Sequence, residues 1–255
     1  MTPKKNLKKK LQTAEPTIGS WITLAHPAIA EIMARAGFDW LVVDLEHSVI
    51  TIREAEELIR VIGLCGVTPL VRLSANDAVQ IKRVMDAGAH GVIVPMVNSA
   101  LEAEQAVAAV KYPPQGRRGV GLARAQGYGT RFEEYKGWLA QESIVIVQVE
   151  HIKAVENLDT ILAVAGVDGF IVGPYDLSGS LGIPGQFAHP LMTQAMERIR
   201  KSGAPSGKAP GIHVVEPDLA QLQHRLQEGY RFVAYSLDIR MLDHSCRACL
   251  ASLKR

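Results

Sequence analysis

Cysteine is scarce in this chain: 255 residues contain only Cys65, Cys246 and Cys249. An odd, small set without framework spacing excludes a disulfide-stapled fold and suits a reducing cytoplasm. Cys246 and Cys249 form a C-x-x-C, but there is no second pair and only His244 lies nearby. They are read as ordinary residues of a terminal helix rather than as a zinc site. No window approaches eighteen uninterrupted apolar residues, so no membrane span is expected. Charge of one sign is not in excess either, with 28 Lys and Arg against 26 Asp and Glu. Five of the lysines (Lys4, Lys5, Lys8, Lys9, Lys10) fall in the first ten residues, leaving 23 basic against 26 acidic side chains in the remainder. A near-neutral body with a basic tip lacks the basic face that nucleic acid requires. The tip has no apolar core to be translocated, so residues 1–16 are read as a solvated, flexible basic tail, with the start of a helix as the alternative, rather than as a signal peptide.

What the chain does have is a repeating alternation. Hydrophobic residues make up 47% and charged residues 21%, values at which the bulk of a chain folds rather than staying disordered. Short apolar, β-rich runs recur at 19–23, 40–44, 68–73, 91–95, 144–150, 169–173, 211–215 and 231–236. Between most of them lie amphipathic segments, such as Ile52, Ala55, Leu58, Ile59 and Ile62 on one helical face. Pro217 and Asp218 mark another helix start. Near-continuous apolar strands alternating with helices mean a parallel sheet buried on both sides. Eight such units match a (β/α)8 TIM barrel, predicted as a single domain over 17–255. The runner-up, an open doubly wound sheet, would want a glycine-rich turn after its first strand, and Thr23-Leu-Ala-His-Pro27 is not one. The long segment 111–141 is read as irregular and functional or intersubunit, with a shorter irregular stretch at 179–190.

Chemistry in such a barrel sits at the C-terminal ends of the strands. The second run ends in Asp44-Leu45-Glu46-His47, the third in Arg72, the fifth in Gln148-Val149-Glu150 and the sixth in Gly173-Pro174-Tyr175-Asp176. Each has a plain structural reading: Asp44 and Asp176 as helix caps, His47 satisfied by backbone, Arg72 in a structural ion pair. Glu150 resists that treatment, because a carboxylate ending a buried strand is costly unless it meets a cation. Glu150 and Asp176 come from neighbouring strands and suit one hard divalent cation, Mg²⁺, Mn²⁺ or Co²⁺, whose remaining ligands are water and substrate oxygens. Such a site chelates a 2-oxo acid and stabilises its enolate. Arg72 suits the developing oxyanion and His47 suits proton transfer. No lysine ends a strand in this group, which makes a Schiff-base mechanism less attractive.

With these residues in hand, the chain resembles the HpcH/HpaI family of class II aldolases, within the phosphoenolpyruvate/pyruvate superfamily. The resemblance rests on G-x-W at 19–21, A-G-F-D-W-L-V-V-D-L-E-H at 36–47, D-A-G-A-H-G-V-I-V-P-M-V at 86–97, Y-P-P-Q-G-R-R-G-V-G at 112–121, Q-V-E at 148–150 and V-G-P-Y-D-L-S at 172–178. It implies that His47 is the catalytic base, that Asp44 and Asp86 orient it, and that Arg72 stabilises the transition state. It also implies that Glu150 and Asp176 hold the metal, and that Gln148, Gly173, Pro174, Tyr175, Asp176, Arg72 and Trp21 contact the pyruvate portion. Glu46 and Arg124 are weaker site candidates. The resemblance further implies a homo-oligomer, a hexamer in which the helix at 239–250 is exchanged between subunits.

The implied reaction is reversible cleavage of a 4-hydroxy-2-oxo acid, of the 2-keto-3-deoxy sugar acid or dicarboxylate type, to pyruvate and an aldehyde. The alternatives are enolate condensation with another electrophile, citrate-forming or acyl-CoA, and a barrel without catalysis. Three features depart from the family pattern: Tyr175 where relatives often carry Ala, a shortened segment at 121–124, and a Gly/Ser/Pro-rich stretch at 201–210.

Overall fold

The computed structural model describes residues 6–13, 15–251 and 253. Eight strands form the frame: β1 (Thr17–Ile22), β2 (Trp40–Asp44), β3 (Thr68–Arg72), β4 (Gly91–Val94), β5 (Ile144–Val149), β6 (Gly169–Val172), β7 (Ala209–Val214) and β8 (Phe232–Leu237). Each pairs in parallel with its sequence neighbours, and β8 closes on β1. The expected TIM barrel is the observed one, in a single domain. All residues of β2, β4, β5 and β6 are buried, which is why their sequences read as unbroken apolar runs.

Among the described residues, twelve α-helices accompany the strands: α1 (Leu7–Gln12), α2 (Pro27–Arg35), α3 (Ile52–Leu64), α4 (Ala78–Asp86), α5 (Ala100–Val110), α6 (Phe132–Glu142), α7 (Ile152–Glu156), α8 (Leu158–Leu162), α9 (Pro174–Ser180), α10 (Pro190–Gly203), α11 (Leu219–Gln227) and α12 (Asp238–Ala251). Asp218 caps α11 as its sequence suggests, accepting the N–H groups of Ala220 and Gln221.

Two layers of core result from the two-residue period of the strands. One fills the barrel axis with Trp40, Val42, Leu70, Ile93, Ile146, Ile171 and Phe232, and the other lies between strands and helices. Trp40 stacks on Phe232 with centroids 4.0 Å apart. A Cβ on Gly19 would collide with the Trp40 indole, so this position has to be glycine for the axis to close.

Several expectations need correction. Residues 7–12 are not a solvated tail. They form α1, whose Leu7 and Leu11 are buried against the axial core at the N-terminal end of the barrel. Lys8 anchors this helix by an ion pair to Asp168 at 2.6 Å and a bond to the Ser143 carbonyl at 2.9 Å. Residues 1–5, including Lys4 and Lys5, lie outside the described residues. The segment 111–141 is irregular only to about residue 131, because α6 follows, with Tyr135 and Leu139 buried and Phe132 and Trp138 packed on the core. The expected stretch 179–190 begins inside α9, and β7 starts at Ala209, two residues earlier than its apolar run suggests. Cys65 is half-buried, and Cys246 and Cys249 are exposed on α12.

Candidate active site

The strands bring their last inward positions to one mouth. Trp21 of β1, Asp44 of β2, Arg72 of β3 and Gln148 of β5 each follow the alternation set by the axial residues before them. Arg72 donates from Nε to Asp44 Oδ1 at 2.8 Å and from Nη2 to Oδ2 at 2.5 Å. Its third nitrogen, Nη1, lies 3.3 Å from Glu46 Oε2. Its guanidinium carbon stands 4.3 Å from the centroid of the Trp21 ring. The guanidinium is therefore held on one edge and one face, with Nη1 directed to the mouth.

Asp44 is 1% exposed. Burial alone would raise its pKa, but the two bonds from Arg72 and the N–H groups of Glu46 and His47 outweigh it and hold the carboxyl below the usual range. Its cap-like role is real, since it organises the turn after β2 at 3.0 and 3.3 Å, though no helix starts there. Glu46 behaves in the opposite way. Burial pushes its pKa up to about 7; Arg72 opposes this, and the charges of Glu150, Asp44 and Asp176 add to it.

Glu150 is 3% exposed. Its Oε1 accepts the Met96 N–H at 2.6 Å and its Oε2 accepts from Gln148 Nε2. Burial raises its pKa; these two bonds lower it, and Asp176 raises it further. Met96 adopts a left-handed backbone with φ of 53°, uncommon for a residue with a side chain, and this turn presents its N–H to the carboxylate. Gly173 is also fitted to Glu150: a Cβ there would lie 3.1 Å from Glu150 Cβ and 3.3 Å from Oε2. Asp176 occupies the first turn of α9, makes no side-chain cap, and is exposed at the mouth.

Four carboxylates, Asp44, Glu46, Glu150 and Asp176, thus share one guanidinium. This excess of negative charge, with all-oxygen donors on Glu150 and Asp176, fits a hard divalent cation that completes its shell with water and substrate. Among the described residues, no group of three or more His, Cys, Asp and Glu side chains is set to enclose an ion, so any cation here must share its shell with non-protein ligands.

The remaining candidates divide. His47 is exposed, with Nε2 3.7 Å from Glu46 Oε2, and is not the backbone-satisfied histidine of the plain reading. Tyr175 is also exposed and packs edge-on against Phe187 at 4.9 Å. Asp86 and Arg124 do not join the site of their own chain. Asp86 ends α4 at the N-terminal end of the barrel, where it pairs with the buried Arg118 at 3.0 Å. Arg124 donates to the Ala87 carbonyl at 2.8 Å in the same region. The physical reason is topological: helices run back from the mouth, so a helix C-terminus lies at the opposite end from the strand ends. Asp44 touches His47 through the backbone N–H and not through its ring. Met96 was missed by sequence reasoning, because nothing in its residue type signals a left-handed turn.

Comparison with known proteins identifies the family. The profile of the family described as HpcH/HpaI aldolase/citrate lyase matches residues 17–245. A hydroxypyruvate/pyruvate aldolase of Roseobacter denitrificans is 39% identical over 255 residues, covering 99% of this chain and 98% of that protein. A 4-hydroxy-2-oxo-heptane-1,7-dioate aldolase of Salmonella typhimurium is 40% identical, covering 97% of this chain and 94% of that one. The crystal structure of an HpcH/HpaI aldolase/citrate lyase family protein from Burkholderia cenocepacia superposes with a TM-score of 0.92 at 35% identity, covering 97% of this chain and 99% of that chain.

Proposed function

The chain belongs to the HpcH/HpaI aldolase/citrate lyase family and is a carbon–carbon lyase; from that premise we propose that it cleaves a 4-hydroxy-2-oxo acid reversibly to pyruvate and an aldehyde. The observation that carries this reading is the fixed guanidinium. Asp44 takes the Nε–H and one Nη2–H of Arg72, and Glu46 lies beside Nη1, so the remaining N–H groups of the two Nη nitrogens are the donors left for an oxygen of the substrate. Held in place before the reaction, the guanidinium stabilises negative charge on the 2-oxo oxygen as the enolate forms. Gln148 and the first turn of α9, at Gly173, Pro174, Tyr175 and Asp176, receive the carboxylate end. His47, exposed at the mouth, takes the proton of the 4-hydroxyl as the C3–C4 bond breaks, and the enolate is protonated at C3.

Glu150 and Asp176 are the residues that would hold Mg²⁺, Mn²⁺ or Co²⁺. A cation bound there supplies Lewis-acid polarisation of the 2-oxo acid. Gln148 and Met96 fix the Glu150 carboxylate in readiness for it.

A role for Asp86 at His47 requires a second copy, because the two lie at opposite ends of one barrel. Exposed apolar side chains on α12, namely Ile239, Leu242 and Leu250, support a homo-oligomer. The reading takes it to be a hexamer that exchanges the helix at 239–250. A cytoplasmic setting fits the small, odd number of cysteines in the sequence. Among the described residues no helix is long and apolar enough to cross a membrane.

The test is exchange of the pyruvate methyl protons in D₂O, followed by NMR. Exchange that needs the protein and Mg²⁺, Mn²⁺ or Co²⁺, and that stops with EDTA, is the expected result. No exchange with any of the three cations overturns the proposal.

A further inference from the structure

Cleavage of a 4-hydroxy-2-oxo acid moves protons at two atoms: one leaves the 4-hydroxyl, and one arrives at C3. His47 serves the first. The second needs a group that titrates, lies at the mouth and is not otherwise engaged.

Most of the polar groups around Arg72 fail on one of these counts. Asp44 binds Arg72 through both oxygens, and despite burial its carboxyl is held below the usual range. Glu150 accepts from Met96 and Gln148 and, with Asp176, is assigned to the cation. Trp21 covers one face of the guanidinium, and its buried indole Nε1–H has no partner. An indole nitrogen only donates, so it takes up no proton. His213 of β7 lies against Trp21 with ring centroids 5.5 Å apart. Burial makes that ring a weak base, with its pKa pushed down to about 4, whereas burial pushes the Glu46 carboxyl up to about 7.

Glu46 meets the three requirements. It sits in the turn after β2, where Asp44 accepts its backbone N–H at 3.0 Å. Its Oε2 lies 3.3 Å from Arg72 Nη1, 3.7 Å from His47 Nε2 and 3.5 Å from Gln148 Nε2. All three contacts are made by Oε2, which leaves Oε1 as the oxygen for a proton. The three neighbours are the groups assigned to the 2-oxo oxygen, the 4-hydroxyl and the carboxylate end. C3 is bonded both to the carbon that carries the 2-oxo oxygen and to the carbon that carries the 4-hydroxyl. A carboxyl between Arg72 and His47 therefore stands beside C3. A purely structural role accounts poorly for it, since Asp44 already pairs with Arg72 and a further half-buried carboxylate among Asp44, Glu150 and Asp176 is costly.

We propose that Glu46 is the catalytic residue that exchanges a proton with C3, and that His47 serves the 4-hydroxyl alone. This deepens the aldolase reading and rests on it. In cleavage, neutral His47 takes the 4-hydroxyl proton and the electron pair of the C3–C4 bond passes into the enolate. The aldehyde leaves, and the enolate takes the carboxyl proton of Glu46 at C3. One proton has then gone from the hydroxyl to His47 and one from Glu46 to carbon. Return of a proton from the imidazolium to the Glu46 carboxylate restores both groups without a further reactant. The His47 side chain, 60% exposed and 3.7 Å away, reaches Glu46 by rotation of its ring. Condensation runs the same steps in reverse, with the Glu46 carboxylate as the base at C3.

The experiment follows two rates with whichever of Mg²⁺, Mn²⁺ and Co²⁺ supports the wild type. One is exchange of the pyruvate methyl protons with D₂O by NMR, and the other is cleavage of 4-hydroxy-2-oxopentanoate, the adduct of pyruvate and acetaldehyde. Exchange involves C3 alone, so it separates the two bases. Glu46→Gln keeps the shape but carries no transferable proton, and is expected to slow exchange about a hundredfold or more. His47→Asn is expected to slow cleavage by a similar factor and to keep exchange within about tenfold of the wild type. Either variant carries the test if the other does not fold. Wild-type exchange in folded Glu46→Gln overturns the proposal and leaves the aldolase reading standing. So does a loss of exchange in His47→Asn that equals its loss of cleavage, since His47 would then serve both atoms. A wild type that neither exchanges nor cleaves removes the aldolase reading, and this one with it.

Discussion

Arg72 and Asp44 meet edge to edge, Nε to Oδ1 at 2.8 Å and Nη2 to Oδ2 at 2.5 Å, across the paired ends of β2 and β3. This is a structural ion pair and also a device for aiming the third nitrogen. A lysine at 72 has a single charged nitrogen and cannot occupy both Asp44 oxygens while donating to a substrate. Arg72→Lys is therefore expected to lower kcat by about a hundredfold or more, with the fold retained by circular dichroism. Steady-state rates close to wild type would remove Arg72 from the oxyanion role.

Glu46 supplies a pH dependence whose sign follows from its raised pKa. In the folded protein its pKa is pushed up to about 7, against 4.5 for an ordinary glutamate. Between those values the folded state binds more protons than the unfolded state, so stability falls as pH rises from about 4.5 to about 7. In EDTA, Glu46→Gln is expected to flatten that fall and to be more stable than the wild type at pH 8. Adding Mg²⁺ should raise Tm more at pH 8 than at pH 5, since the cation offsets the crowded carboxylates only when they are ionised. Thermal melts over this range, with and without Mg²⁺, check both statements.

Gly173 leaves room for Glu150, and the space is small. The added Cβ of Gly173→Ala would sit 3.1 Å from Glu150 Cβ and 3.3 Å from Oε2, close enough to push the carboxylate from its two donors. The variant should bind Mn²⁺ about ten- to a hundredfold more weakly with the barrel intact. Titration followed by electron paramagnetic resonance of free Mn²⁺ measures this, and unchanged affinity would show that Glu150 absorbs the contact.

The barrel and much of the mouth were legible in the sequence because both follow from strand periodicity. Unbroken apolar runs require two buried faces, and the polar residues that end them, Asp44, Arg72, Gln148 and Glu150, have nowhere to go but the rim. The rest depended on relations that period two does not encode. α1 was hidden by its lysines: Leu7 and Leu11 are two apolar residues flanking three basic ones, and only the open end of the barrel makes them core. α6 was hidden by the glycines and arginines before it, although Phe132, Tyr135, Trp138 and Leu139 share a helical face. Asp86 carries a family motif, but its place at the end of α4 is a matter of topology. The unpaired Trp21 indole needed coordinates, since only they reveal an absent partner.

α1 closes the barrel floor and should contribute to stability in proportion. Leu11 is 1% exposed, so Leu11→Ala is expected to cost roughly 2–5 kcal/mol. For a chain of this length, that lowers Tm by several degrees or more. Urea melts read it directly. A loss below about 0.5 kcal/mol would mean that α1 docks loosely and that the solvated-tail reading was the better one.

Asp86 and His47 cannot meet within one barrel, and this makes the oligomer testable without a structure of it. If Asp86 serves the His47 of a neighbour, His47→Ala and Asp86→Ala are each deficient, yet their mixture contains interfaces where an intact His47 faces an intact Asp86. Dissociating the two variants, mixing them and reassembling should restore up to about a quarter of wild-type activity, the fraction of random pairings in which both residues are native. If Asp86 acts only through its bond to Arg118, at 3.0 Å, the mixture stays at the average of the two variants, and Asp86→Asn should then lower Tm while leaving the pH profile of kcat in place.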